Sequence, residues 1–310
     1  MRLLLLGCTG FIGKELVPRL INAGHTVTVI SRRSQRKCLE IFKTDNFAHL
    51  QLDPTYECNW TSNELVNALK NSEGVINLAG EPIAEKRWTI QHCKLIENSR
   101  LDTTKHLINA MHKVRSRPKV LINGSAIGFY GTSKESEFDE DSHSGEDFLA
   151  RLCKKWETIA TGRPSGTRLL IIRIGIVLEK DGGAMGKMLP IFRSGFGGPL
   201  GDGLQWMSWI HRYDLCSMIE KALKNDSWAG KINGVSPSPV SMSEFSKTLG
   251  KALHRPSLFP VPGAILRLLL GDGAKVVLEG QKVSSFKLDK LKFTFKYTNI
   301  LDALRSITEA

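Results

Sequence analysis

The chain predicts an α/β fold, a doubly wound parallel sheet with a smaller C-terminal lobe. Three features carry that reading. Residues 3–6 are a short continuous apolar run, the pattern of a strand buried on both faces of a parallel sheet, and 74–80 and 168–175 read as further buried strands. Segments with helical apolar spacing separate them. Small residues follow strand ends at Gly7 and Gly80, where a ligand can lie against the backbone. With 310 residues the chain can bury a full core as one large or two modest domains. We place the sheet domain at residues 1–182, with 204–235 returning to it, and a substrate or cap lobe at 183–203 and 236–310.

The first thirteen residues organise the rest. Strand 3–6 runs into Gly7, Gly10 and Gly13, and Phe11, Leu16, Val17, Leu20 and Ile21 follow as an apolar helical pattern. Strand, glycine turn and helix form the context that a dinucleotide fingerprint needs. Gly7 makes the tight turn, Gly10 lets backbone N–H groups approach a pyrophosphate, and Gly13 permits close helix–sheet packing. The helix start then holds phosphate through unpaired N–H groups and the positive end of its dipole. Thr9, Phe11 and Ile12 complete the expected cradle. Residues 26–30 alternate as a second strand. Beyond them, where an NAD site places an acid, stand Ser31, Arg32 and Arg33. Guanidinium groups bind a 2′-phosphate through charge-assisted pairs, so NADP is favoured over NAD. The plain alternative is a solvated basic loop.

Residues 35–71 read loosely, with a third strand near 48–52 and a short helix over 63–69. The strand over 74–80 ends in Leu78, Ala79 and Gly80, which are expected to line the ligand crevice. A helix is expected over 89–112, a strand over 120–123, a helix over 147–157 and a strand over 168–175. The acidic stretch 135–147 reads as a solvated loop. The glycine-rich residues 181–203 read either as a flexible crossover or as a lid over an anionic substrate, with Lys187 or Arg193 as ligands. His211 and Asp214 suit a structural link better than a catalytic dyad. Helical spacing returns over 214–224, and 231–235 is a strand. Ser241-Met-Ser-Glu244 has the form of a capping box opening a helix over 245–253. The apolar segment 263–270 is too short to span a bilayer and packs in the C-terminal lobe or covers a partner surface. Residues 293–297 and a helix over 300–307 finish the chain.

Composition narrows the classes. The net charge of +12 is spread along the chain without a basic block, which ranks nucleic acid low as a partner. No membrane partner is expected, and a homodimer is compatible with the sequence. The six cysteines show no zinc-like spacing, so reduced thiols are the default. Met1 runs directly into the first strand, which suggests a soluble, cytoplasmic protein; organelle import after trimming stays open.

Gly7-Cys-Thr-Gly-Phe-Ile-Gly13, Asn77-Leu-Ala-Gly80 and Asn123-Gly-Ser-Ala-Ile-Gly-Phe-Tyr-Gly131 stand in the order found in extended short-chain dehydrogenases/reductases. The chain resembles an atypical epimerase-like branch of that superfamily, whose bacterial members are often labelled nucleoside-diphosphate-sugar epimerases or cell-division inhibitors. The resemblance implies a Rossmann domain and an NADP(H)-dependent oxidoreductase or epimerase with an anionic or sugar-nucleotide-like substrate. It also implies that Arg100 reaches toward the cofactor, against the alternative of a surface arginine near Asp102, and that Gly175 and Ile176 neighbour the nicotinamide.

In that superfamily a serine at the strand end works with a Tyr-x-x-x-Lys pair in proton transfer. Ser125 is present, but the register puts Leu149 and Cys153 where tyrosine and lysine should stand. Two readings follow. Ser125 and Tyr130 form a substitute acid/base pair, with Lys154 or Lys155 lending charge. Otherwise Tyr130 only packs under the nicotinamide, in a regulatory or scaffold protein that has kept the pocket and lost the chemistry.

Overall fold

The computed structural model describes residues 1–309. Seven parallel strands make the central sheet: β1 (Arg2–Leu6), β2 (Thr26–Ser31), β3 (Ala48–Gln51), β4 (Gly74–Asn77), β5 (Val120–Ala126), β6 (Arg168–Ile174) and β7 (Gly230–Gly234). Their order is β7-β6-β5-β4-β1-β2-β3, all neighbours parallel. The chain winds outward from β1 in both directions, so the crevice for a ligand opens at the carboxyl ends of β1 and β4.

The continuous apolar runs have a direct cause. Successive side chains point to opposite faces, and helices cover both. Leu3 and Leu5 face one core together with Leu16, Val17 and Leu20 of α1 (Gly13–Asn22), Cys38 and Phe42 of α2 (Gln35–Phe42), and Leu215 and Ile219 of α7 (Arg212–Lys224). Leu4 and Leu6 face the other, against Leu65 and Leu69 of α3 (Asn63–Asn71), Leu107 and Met111 of α4 (Ile90–Lys113), and Ala160 of α5 (Phe148–Thr161). The helix α2 is absent from the sequence expectation; Ser34 caps it by accepting the Lys37 amide, and only two buried residues signal its period.

The glycine-rich stretch is not a loose crossover. It contains α6 (Gly183–Arg193), whose Met185, Met188, Leu189 and Phe192 fill the core of the C-terminal lobe beside Phe245 and Leu249 of α8 (Met242–Ala252). Two of its glycines pack tightly: a Cβ on Gly198 would lie 2.1 Å from the Phe259 carbonyl oxygen, and one on Gly197 would lie 2.5 Å from the Phe192 ring. Lys187 donates to the Ala84 carbonyl, and Arg193 is exposed. Ser241 caps α8 by accepting the Glu244 amide at 3.1 Å, as the capping-box spacing implies. The apolar helix α9 (Gly263–Leu270) buries none of its residues, so it does not enter the lobe core. In residues 293–297 the amides of Lys296 and Tyr297 donate to the Asp214 carboxylate at 2.8 and 3.0 Å. No helix among the described residues is long and apolar enough to cross a membrane.

His211 is structural. Its Nδ1 accepts the Tyr213 amide at the start of α7, its ring packs on Tyr297 at 4.0 Å, and burial pushes its pKa down to about 4. The folded state therefore resists a proton that the unfolded chain takes up near pH 6.5. Stability is expected to fall as pH drops from about 6.5 to 4, by roughly 3 kcal/mol from this group. His211→Asn keeps an acceptor for the cap without a titrating ring. Urea unfolding at pH 7 and pH 4.5 should show a smaller difference for the variant than for the wild type.

Candidate functional site

The turn after β1 is shaped by contacts that exclude side chains. Gly7 has φ +73°, and a Cβ there would lie 2.4 Å from the Ala79 amide nitrogen. The β1 and β4 loops therefore touch backbone to backbone, and the second of them carries Leu78, Ala79 and Gly80. Gly13 presses on Cys8, whose carbonyl oxygen would be 1.9 Å from a Cβ. Gly10 differs: it is exposed, and a Cβ there meets only the Gly7 oxygen, at 3.4 Å. No side chain caps the N-terminus of α1. An open shelf of backbone in front of an uncapped helix start fits a diphosphate, through free N–H groups and the helix dipole.

At the end of β2 the Ser31 hydroxyl sits 3.1 Å from Thr9 Oγ1 and accepts the Arg33 amide at 3.1 Å. Arg32 and Arg33 are exposed beside it, with Arg32 Nη2 3.9 Å from Glu81 Oε2 across the crevice. Two cations thus flank the side of the shelf where an adenosine ribose would lie.

On the β4 side, Asn77 donates to Asn123 Oδ1 at 2.8 Å and to Thr104 Oγ1 at 2.9 Å, and it accepts the Ala79 amide. The loop after it is held by α4: Ser99 Oγ accepts the Glu81 amide at 2.9 Å, and Arg100 Nη1 donates to the Glu81 carbonyl at 3.0 Å. Arg100 lies under Gly80 rather than at the surface, and Asp102 does not pair with it. Burial pulls its pKa below the usual arginine value.

Ser125 and Tyr130 are both buried and are linked only through other side chains. Ser125 donates to Glu157 Oε1 at 2.7 Å, and Glu157 forms a two-point pair with Arg173, at 2.9 and 3.0 Å. Arg173 Nη1 donates to the Tyr130 hydroxyl at 2.9 Å, which in turn donates to Asn233 Oδ1 at 2.6 Å. Burial pushes the Tyr130 phenol up to about 12, against the pull of Arg173, so its proton is harder to remove than in water. Neither Lys154 nor Lys155 lends charge here: both are exposed, and Lys155 pairs with Glu97. For Arg173 burial opposes the charge, yet Glu157 outweighs it and holds the pKa above the ordinary value. This network was not among the sequence expectations, although a charge inside the apolar strand β6 required a partner. Leu149 stands beside Gly128, and the buried Cys153 thiol is pushed up to about 11, so these two positions supply no ready proton donor.

The far wall joins the glycine turn to the lobe. The Phe11 ring fills the space that a side chain on Gly182 would need, 2.6 Å away, and the Arg212 guanidinium lies over that ring, 4.9 Å from its centre. Asp181 receives Lys14 at 2.5 Å and Arg212 at 2.6 Å. Gly175 is packed against the Ser208 oxygen. The Ile176 amide donates to that same oxygen, while its side chain leans on the lobe core. The crevice therefore gathers residues 7, 9–13, 31–33 and 78–80, whereas Ser125 and Tyr130 belong to the interior behind it.

Residues 3–233 match the NAD dependent epimerase/dehydratase family. The chain belongs to that family. Residues 261–307 match a domain of unknown function, DUF1731. This epimerase/dehydratase family chain is 44% identical over 305 residues to the chloroplastic homolog of epimerase family protein SDR39U1 from Arabidopsis thaliana, covering 98% of this chain and 85% of that one. It is 33% identical over 311 residues to the epimerase family protein YfhF of Bacillus subtilis, covering 99% and 98%. A crystal structure of human SDR39U1 (isoform 2) with NADPH matches it with a TM-score of 0.88 at 35% identity, over 100% of this chain and 99% of the other.

Proposed function

We propose that this protein is an NADP(H)-binding, epimerase-like oxidoreductase acting on a small anionic or sugar-nucleotide-like molecule. The observation that carries the reading is the open shelf at Gly10, in front of the uncapped α1 and flanked by Arg32 and Arg33. Human SDR39U1, similar along the whole chain, was crystallised with NADPH, which supports the choice of coenzyme. Residues 7 and 9–13 would hold the diphosphate, Ser31, Arg32 and Arg33 the 2′-phosphate, and residues 78–80 the middle of the coenzyme. When bound, the nicotinamide would supply or accept a hydride.

A second reading has a specific observation behind it. Leu149 and Cys153 replace the proton-transferring pair, and Tyr130 is held protonated in the interior. These features favour a coenzyme-bound regulatory protein. Incubating the protein with NADP+ and ring-deuterated UDP-sugars, or with deuterated NADPH and carbonyl compounds, separates the two. Label transfer supports the enzyme, and its absence across the panel supports the regulatory reading.

The coenzyme assignment has its own test. Arg32→Ala should weaken NADPH about tenfold while leaving NADH within about twofold, the loss expected for one charge-assisted contact. An equal loss for both would remove Arg32 from the phosphate site.

A further inference from the structure

The surplus of basic residues is spread along the sequence, but folding gathers part of it on one face. The helices α4 and α5 lie side by side against the sheet and run in the same direction. Lys155 of α5 reaches Glu97 of α4 at 2.9 Å, Trp156 Nε1 donates to Thr104 Oγ1 at 2.8 Å, and the His112 ring lies 2.8 Å from the Gly162 carbonyl oxygen. Lys94 and Lys105 fall at nearly the same angle around α4, because three helical turns take about 11 residues. Arg151 and Lys154, at i and i+3, share the outer side of α5. All four are exposed, as is Lys113 in the last turn of α4. None of them has a carboxylate within ion-pair distance among the described residues.

The acids nearby do not balance these cations. Glu97 is taken by Lys155 and Glu157 is buried against Arg173, which leaves Asp102 as the single acid of the two helices to offset them. Glu146 and Asp147 precede α5, and Asp147 caps it by accepting the Ala150 amide. On α1 and α2, by contrast, the cations meet acids: Lys14 with Asp181, Arg19 with Glu15 and Glu220, Arg36 and Lys37 with Glu40. A solvated helix face usually interleaves the two signs. Cations held together without acids repel one another until an anion joins them.

One end of this face is apolar. In the first two turns of α4, Ile90 and Leu95 are 80% and 57% exposed. Beside them Trp88, Ile90 and Cys93 help to line a cavity of about 350 Å³, which Lys94 and Asp272 also border. Such a surface complements a segment with an apolar anchor at one end and carboxylates along the rest. Other occupants match it less well. A second copy docked through this face about a two-fold axis would set the same cations against one another. A nucleic-acid strand stacks its bases on exposed aromatics, whereas Phe148 and Trp156, the aromatic residues of the two helices, are engaged by Trp88 and Thr104. A bilayer takes up apolar side chains along the whole length of a helix, and here the exposed ones stand at one end.

We propose that the α4–α5 face docks an acidic segment of a partner protein, its carboxylates on Lys94, Lys105, Arg151 and Lys154 and an apolar anchor residue beside Leu95.

The test needs no coenzyme. A fluorescein-labelled oligoglutamate, and the same peptide with a terminal Leu-Leu, are titrated with the full chain by anisotropy at about 0.15 M salt, where long-range attraction is screened. The wild type should bind the leucine-tipped peptide at least threefold more tightly, and Leu95→Ser should erase that difference. A tip without effect on the wild type overturns the proposal. Lys94→Glu with Lys105→Glu and Lys154→Glu should weaken both peptides at least tenfold. Lys247→Glu with Lys251→Glu and Lys290→Glu changes the net charge equally at exposed positions elsewhere, and should weaken them less than threefold. Equal losses in the two triple variants overturn the proposal, since net charge alone would then account for binding. So does stronger binding of a DNA duplex, or of phosphatidylglycerol vesicles, than of the leucine-tipped peptide. A wild-type dimer that the first triple variant disperses in sedimentation would give the face to a second copy, and also overturns it. If that variant does not fold, Lys94→Gln with Lys105→Gln and Lys154→Gln takes its place: a loss of at least threefold supports the proposal and a smaller one overturns it.

Discussion

Gly7→Ala should abolish coenzyme binding and lower folding stability by about 3 kcal/mol or more. The added methyl group meets the Ala79 backbone at 2.4 Å, and the residue would have to keep φ at +73°. Overpacking against backbone costs about 1–3 kcal/mol, and a left-handed conformation without glycine adds about 1 kcal/mol. Gly10→Ala is the informative contrast. It has space within the protein, so urea unfolding should shift by no more than about 0.5 kcal/mol, the usual range for a surface change. Yet its methyl group enters the volume over the shelf, so NADPH affinity should fall at least tenfold. A Gly10→Ala protein that binds NADPH normally would mean that the diphosphate lies elsewhere.

The second large effect belongs to the interior pair. Arg173 is fully buried, and Glu157 is its only carboxylate partner among the described residues. Removing one member strands the other charge in a low-dielectric core, so Arg173→Met or Glu157→Gln should each cost about 3–5 kcal/mol. The double variant Arg173→Met with Glu157→Leu removes both charges and should recover most of that loss. Equilibrium unfolding of the three variants checks this. Additive losses in the double variant would mean that the hydrogen bonds to Ser125 and Tyr130, rather than the charges, dominate.

What could be read from the residues depended on how local the cause was. The β1 turn was legible because strand, glycine spacing and helix all lie within a short window, and each glycine has a steric reason there. The two-faced strands were legible because burial on both sides leaves a continuous apolar run. The capping box of α8 was legible for the same local reason. By contrast, α2 fully buries only Cys38 and Phe42, with Leu39 and Ile41 packed partly against the core, too short a run for a period to show. The helix α6 was hidden by flanking glycines, although Met185, Met188, Leu189 and Phe192 define its buried side. Arg173 announced a need for a counter-ion inside β6, but the chain offers many acids, and only the packing of α5 on the sheet selects Glu157. The absence of the Tyr-x-x-x-Lys pair was legible directly. The commitment of Tyr130 to Asn233 was not, because their contact spans 103 residues.

Asp181 has a consequence for how such chains can evolve. It joins the first helix, through Lys14, to the helix that follows the crossover, through Arg212, which also touches the Phe11 carbonyl. The N-terminal part of the sheet domain and the segment 204–235 that returns to it are therefore not interchangeable pieces. Replacing that returning segment alone by the one from a distant relative would leave Glu179 and Asp181 facing a missing cation at the mouth of the crevice. Recombination between lineages is thus restricted to exchanges that carry all three residues together.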